Sequence, residues 1–121
     1  MSGNLNILGS GIDMVEISRL KDAVQKWGNH FLERVFCPEE IAYAKNHRNP
    51  FPHYAGRFAA KEAVLKAVGT EHALGWKDIK ILNTKEGKPY CLLNGNTGKT
   101  KILISISHTR YHAIASAIVT P

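Results

Sequence analysis

The stretch RFAAKEAVLKAVG at residues 57–69 constrains the fold more than any other part of the chain. Its Ala, Val, Leu and Phe content predicts a helix that wants to be core, yet Arg57, Lys61, Glu62 and Lys66 lie inside it. At about 100° per residue, with Phe58 at zero, Glu62 falls near 40° and Lys66 near 80°. Lys61 falls near 300° and Arg57 near 260°, while Ala59, Ala60, Ala63 and Ala67 occupy roughly 100–200°. The charges therefore form two narrow stripes divided by Phe58 and Leu65, where an ordinary surface helix carries one polar face. Two stripes predict a helix touched by structure on several sides, with polar groups aimed into the crevices between contacts.

The rest of the chain supplies partners for such a helix. ILGSGIDMV at residues 7–15 reads as a strand. Gly9, Gly11 and Asp13 share one of its faces, and the glycines leave space for another group to approach closely. Ser18 is a candidate cap for a helix over 19–27, stopped by Gly28. Pro38 opens another helix, PEEIAYAKNH, with Glu39 and Glu40 where the helix dipole favours acids. Pro50 and Pro52 interrupt the chain before the long helix at 53–68. After it the period changes to two: strands are expected at 79–83, 90–93, 102–108 and 113–119, the first two as a hairpin around EGK at 86–88. Ala113, Ala115 and Ala117 share a face that suits close packing by the long helix. The expected class is α+β, a mainly antiparallel sheet against a long Ala-rich helix plus shorter helices, in a single domain over 1–121.

The 121 residues suit one core. No apolar run approaches a membrane span, and the N-terminus lacks the pattern of a secretory signal, so a cytoplasmic location is the expectation. Cys37 and Cys91 have no metal spacing and read as free thiols. The net charge of +6 favours an anionic partner, but no run of Lys/Arg marks a nucleic-acid tail. GxSxG, HExxH and P-loop motifs are absent, and Gly9 and Gly11 lack the third glycine of a dinucleotide fingerprint. His47, His53 and His112 have no zinc spacing.

The residues leave two explanations for the acid in the long helix. Glu62 and Lys66 form an i,i+4 pair in the favoured order, worth a few tenths of a kcal/mol. Alternatively, Glu62 shares a metal ion with Asp13, and Lys66 meets a phosphate. Two carboxylates from separate elements suit Mg²⁺, which completes its shell with waters and substrate phosphates. Asp13 also reads as a turn acid ahead of the helix near residue 18, and His108 as a strand-end surface residue.

Several segments together resemble the bacterial holo-[acyl-carrier-protein] synthase family of 4′-phosphopantetheinyl transferases. They are GIDMVEISRL at 11–20, RVFCPEEIAYA at 34–44, AGRFAAKEAVLKAVGT at 55–70, WKDIKI at 76–81, GKPY at 87–90 and SISHTRYHAIASAIV at 105–119. They occur in the family's order over nearly the whole chain. The resemblance implies transfer of the 4′-phosphopantetheine arm of coenzyme A to a serine of apo acyl carrier protein. Adenosine 3′,5′-bisphosphate is released, and the step supports fatty acid biosynthesis. It implies Mg²⁺ held by Asp13 and Glu62, and a homotrimer with coenzyme A at subunit interfaces. Glu62 and Lys66 are then catalytic, Arg57, Lys61, Lys66 and His108 bind the nucleotide portion, and Arg19, with Lys21 and Lys26, docks the acidic carrier. One departure is Glu71, where family members often have a further glycine. The competing readings are a basic module that binds a nucleotide or acidic protein without chemistry, and a metal-dependent phosphohydrolase.

Overall fold

The computed structural model describes residues 6–69, 73–94 and 100–121. Strand β1 (Gly9–Glu16) leads into helices α1 (Ile17–Trp27), α2 (Asn29–Val35), α3 (Pro38–Lys45) and α4 (Phe51–Val68). A 3₁₀ turn, Trp76–Asp78, precedes β2 (Ile79–Asn83), β3 (Pro89–Leu93), β4 (Lys101–His108) and β5 (His112–Thr120). The strands form a three-stranded antiparallel sheet in the order β1-β5-β4 and a separate β2-β3 hairpin. The expected α+β class is thus found, with the sheet divided in two.

Helix α4 is the spine. Glycines on β1 let the strand run against its backbone: a Cβ at Gly9 would lie 2.0 Å from the Ala67 carbonyl oxygen, and one at Gly11 2.1 Å from that of Ala63. Ala59, Ala63 and Ala67 face Ala115, Ala117 and Val119 of β5, and Ile79, Ile81 and Ile104 complete this core. A second core gathers Ile17 and Leu20 of α1, Leu32 and Val35 of α2, Phe36 just after it, Ala44 of α3 and Tyr54 of α4. Every residue from Tyr54 to Arg57 is buried, as are Ala59–Lys61, Ala63, Val64, Ala67 and Val68.

Local chemistry moved several boundaries. Helix α1 starts at Ile17 with Glu16 as its N-cap, so Ser18 lies inside the first turn and caps nothing. Gly28, at φ 58°, does end α1, but its carbonyl also accepts from Phe31 and Leu32 and starts α2, which the sequence pattern did not suggest. Pro50 and Pro52 begin α4 instead of breaking the chain before it, since proline's missing N–H costs nothing in a first turn. The face of the larger sheet turned away from α4 is apolar and open: Ile12, Met14 and Leu103 are each about 60% exposed.

Candidate active site

Asp13 alternates inward on β1, opposite Ala115 of β5. Glu62 sits on the flank of α4 that overlies the end of β1. Both carboxylates line one cleft of about 420 Å³, with Arg19, Leu20, Ala23, Phe31, Phe58 and His112 among its other walls. Lys66, one turn beyond Glu62, donates to Asp13 Oδ1 at 3.1 Å and to the Ile12 carbonyl at 3.0 Å. Burial pushes the Glu62 carboxyl above its ordinary range, the charge of Asp13 pushes it further, and Lys66 opposes both. Two carboxylates whose charges oppose each other in a half-buried cleft form a donor set that a divalent cation would relieve. Among the described residues no group of three or more His, Cys, Asp or Glu converges on a point. The protein's share of a metal shell here would therefore be these two carboxylates, a number that suits Mg²⁺.

The structure separates the other expected site residues. Lys61 does not reach the cleft. Its side chain is fully buried, 2.7 Å from Glu40 Oε1, and donates to the carbonyls of Val35 at 2.7 Å and Trp76 at 3.0 Å. With all three ammonium hydrogens committed, the nucleotide role expected for it does not fit. Arg57 is 4% exposed, stacks 3.9 Å over the Tyr43 ring and donates to Asn83. It lies beside a group of histidines: His53 stacks on His47 at 3.6 Å, and His108 packs edge-on to His53 at 6.0 Å. Burial, reinforced by His47, Arg57 and His108, pushes the His53 imidazole down to about 4. His108 thus lies with Arg57 around His53 in a second patch, apart from the carboxylate cleft.

The three expected docking cations also divide. Arg19 is on the cleft wall, and Lys26 shares its side of α1, about 20° away at helical spacing. Lys21 points roughly 160° away from Arg19 and lines a different groove with Ser18, Phe51 and Arg110. His112, which showed no zinc spacing, is on the cleft wall because it pairs with Glu16 at the end of β1. Nothing in its local sequence signals that; only the β1–β5 register does. Glu71 lies outside the described residues.

Residues 9–118 match the model of the 4′-phosphopantetheinyl transferase superfamily. The chain belongs to that family. Among curated relatives, the holo-[acyl-carrier-protein] synthase of Protochlamydia amoebophila is 47% identical over 117 residues, covering 92% of this chain and 96% of the relative. A Bacillus anthracis holo-(acyl-carrier-protein) synthase solved in complex with CoA (3′,5′-ADP) superposes with a TM-score of 0.82. It is 34% identical, with 94% of this chain and 96% of that chain covered. The Helicobacter pylori enzyme in complex with coenzyme A gives 0.81 at 34% identity, covering 91% of this chain and 98% of that one. The chain is accordingly an enzyme, a transferase of the phosphopantetheinyl transferase family, and its α+β fold is that of these synthases.

Proposed function

We propose that this transferase moves the 4′-phosphopantetheine group of coenzyme A to a serine hydroxyl of an apo acyl carrier protein, with Mg²⁺ held by Asp13 and Glu62. One observation carries the reading: both carboxylates and the Arg19 cation line one cleft, and the Lys66 ammonium, from the adjoining groove, bonds to its Asp13 wall. The serine oxygen attacks the β-phosphorus of coenzyme A, the bond to the bridging oxygen breaks, and adenosine 3′,5′-bisphosphate leaves. The metal, when bound, offsets charge on the phosphate oxygens. Lys66 turns from Asp13 to the pyrophosphate and adds a second cation where charge develops. The serine hydroxyl loses a proton as it attacks, and the Glu62 carboxylate on the cleft wall is within this site to accept it.

Arg19 on the cleft wall, with Lys26 on the same side of α1, suits an acidic carrier and directs its serine toward Glu62. His108, exposed at the end of β4, offers a ring N–H to the nucleotide phosphates from its separate patch, while buried Arg57 keeps its bond to Asn83. The two patches reach one ligand when a second copy covers the apolar sheet face of Ile12, Met14 and Leu103, in the homotrimer that the family resemblance implies.

The test is a mass measurement on apo carrier protein after incubation with coenzyme A and Mg²⁺. The reading requires a gain of one phosphopantetheine, absent without the metal. Bisphosphate release with an unmodified carrier would identify a phosphohydrolase instead. Coenzyme A binding indifferent to Mg²⁺, with no transfer, would leave only a basic binding module.

A further inference from the structure

Lys61 and Glu40 take no part in the chemistry above, yet they form the most connected polar group in the core. Besides Lys61, Glu40 accepts from the Cys37 amide at 2.7 Å through Oε1 and from the Ile81 amide at 2.8 Å through Oε2. With the Lys61 bonds to Val35 and Trp76, the pair ties α4 to the end of α2, the start of α3, the 3₁₀ turn and β2. Both side chains are 0% exposed.

The opposite side of α4 is smooth. It meets β1 and β5 through Gly9, Gly11 and a row of alanines. Such a surface allows close approach, and its small side chains interlock little to fix the helix's rotation about its own axis. Directional bonds add what that contact lacks. Lys66 bonds to β1 from the cleft side, but its side chain is 54% exposed and it leaves Asp13 in the proposed reaction. Among the described residues the buried polar contacts that persist are the Arg57–Asn83 bond and the Lys61–Glu40 group, and the latter is the larger, an ion pair with four further hydrogen bonds to backbone.

We infer that the buried Lys61–Glu40 pair is a positioning device that sets the rotation of α4 and so aims Glu62 at Asp13. The inference rests on the reading of those two carboxylates as metal ligands. A rotation of about 20° would carry a side-chain tip near 5–6 Å from the helix axis through roughly 2 Å. Mg²⁺ tolerates far less, since it requires near-octahedral geometry at about 2.0–2.1 Å.

The experiment is a titration with Mn²⁺ alone, followed by the loss of the free-ion paramagnetic resonance signal, so no turnover is needed. The variants are Lys61→Met and the double variant E40Q/K61M, whose side-chain amide at position 40 still offers a donor and an acceptor should Lys61→Met fail to fold. Val64→Ala, a fully buried position of α4 outside the polar network, is the control for simple loss of stability. Pair variants should bind Mn²⁺ about 10- to 100-fold more weakly, as when groups that orient metal ligands are lost, and Val64→Ala less than about twofold more weakly. Pair variants that weaken binding no more than Val64→Ala at a matched melting temperature would overturn the inference. If wild type and Glu62→Gln bind Mn²⁺ alike, the ligand reading itself fails, whatever the pair does.

Discussion

The two charged flanks of α4 contain the same kinds of residue and do opposite work. On one flank Lys61 meets Glu40 with no solvent at all. On the other Lys66 meets Asp13 at 3.1 Å with its own side chain 54% exposed. A buried pair cannot lose a partner without leaving an uncompensated charge in the core. An exposed pair exchanges its partner readily and contributes little to stability. Residue type therefore says little about role on this helix; the surroundings decide, and only the exposed lysine can turn toward a ligand.

The contrast breaks most visibly at Glu40. Glu40→Ala strands the Lys61 ammonium and should destabilise the fold by about 3–5 kcal/mol, read from urea melts; a loss below about 1 kcal/mol, the range of exposed pairs, would put both flanks in one class. On the cleft side, Asp13→Ala or Glu62→Ala should leave the melting curve near wild type. Each should lower kcat by something on the order of 100- to 1,000-fold, as when a charge-stabilising group is removed. Either variant retaining full Mg²⁺-dependent transfer would remove the metal pair from the account.

Helix α1 repeats the contrast between two of its sides. Arg19→Ala should weaken carrier docking by roughly tenfold, about 1.4 kcal/mol, in a salt-sensitive way. Lys21→Ala, on the far side, should leave the KM for carrier unchanged. Equal effects would mean that the carrier wraps around the helix.

The smallest expected effect is at His53. The imidazole stays neutral in the fold until about pH 4, while in the unfolded chain it takes a proton near 6.5. Between those values the unfolded state binds more protons, so stability falls as pH is lowered through that window. His53→Phe should flatten this part of the pH–stability curve, and an unchanged slope would remove burial of a neutral ring as its cause.

Much of this arrangement was legible in the sequence, for reasons that stop where non-local geometry takes over. Gly9 and Gly11 beside Asp13 announced a close approach to that face of β1, though not that α4 makes it, and Ala113, Ala115 and Ala117 announced the packing of the long helix on β5. The roughly 40° between Glu62 and Lys66 announced that they share a flank. Which flank would be dry was not legible. Lys61 finds its partner on a different helix, α3, and Glu40 looks locally like any acid in a helix first turn. Its second oxygen reaches Ile81, on a strand 41 residues later. The nucleotide role expected for Lys61 failed for that reason. Gly28 likewise read as a stop signal, because a glycine that ends one helix and begins the next looks the same in sequence. His112 entered the cleft through strand register alone.

The central claim is that one lysine of α4 holds the fold while the other serves the reaction. It is tested most directly by measuring thermal unfolding and phosphopantetheine transfer side by side for Lys61→Met and Lys66→Met. Lys61→Met should melt well below wild type. Lys66→Met should melt with wild type and lose kcat on the order of 100-fold. A Lys66→Met protein that melts as early as Lys61→Met, or a Lys61→Met protein that melts with wild type, would contradict the division between the two flanks.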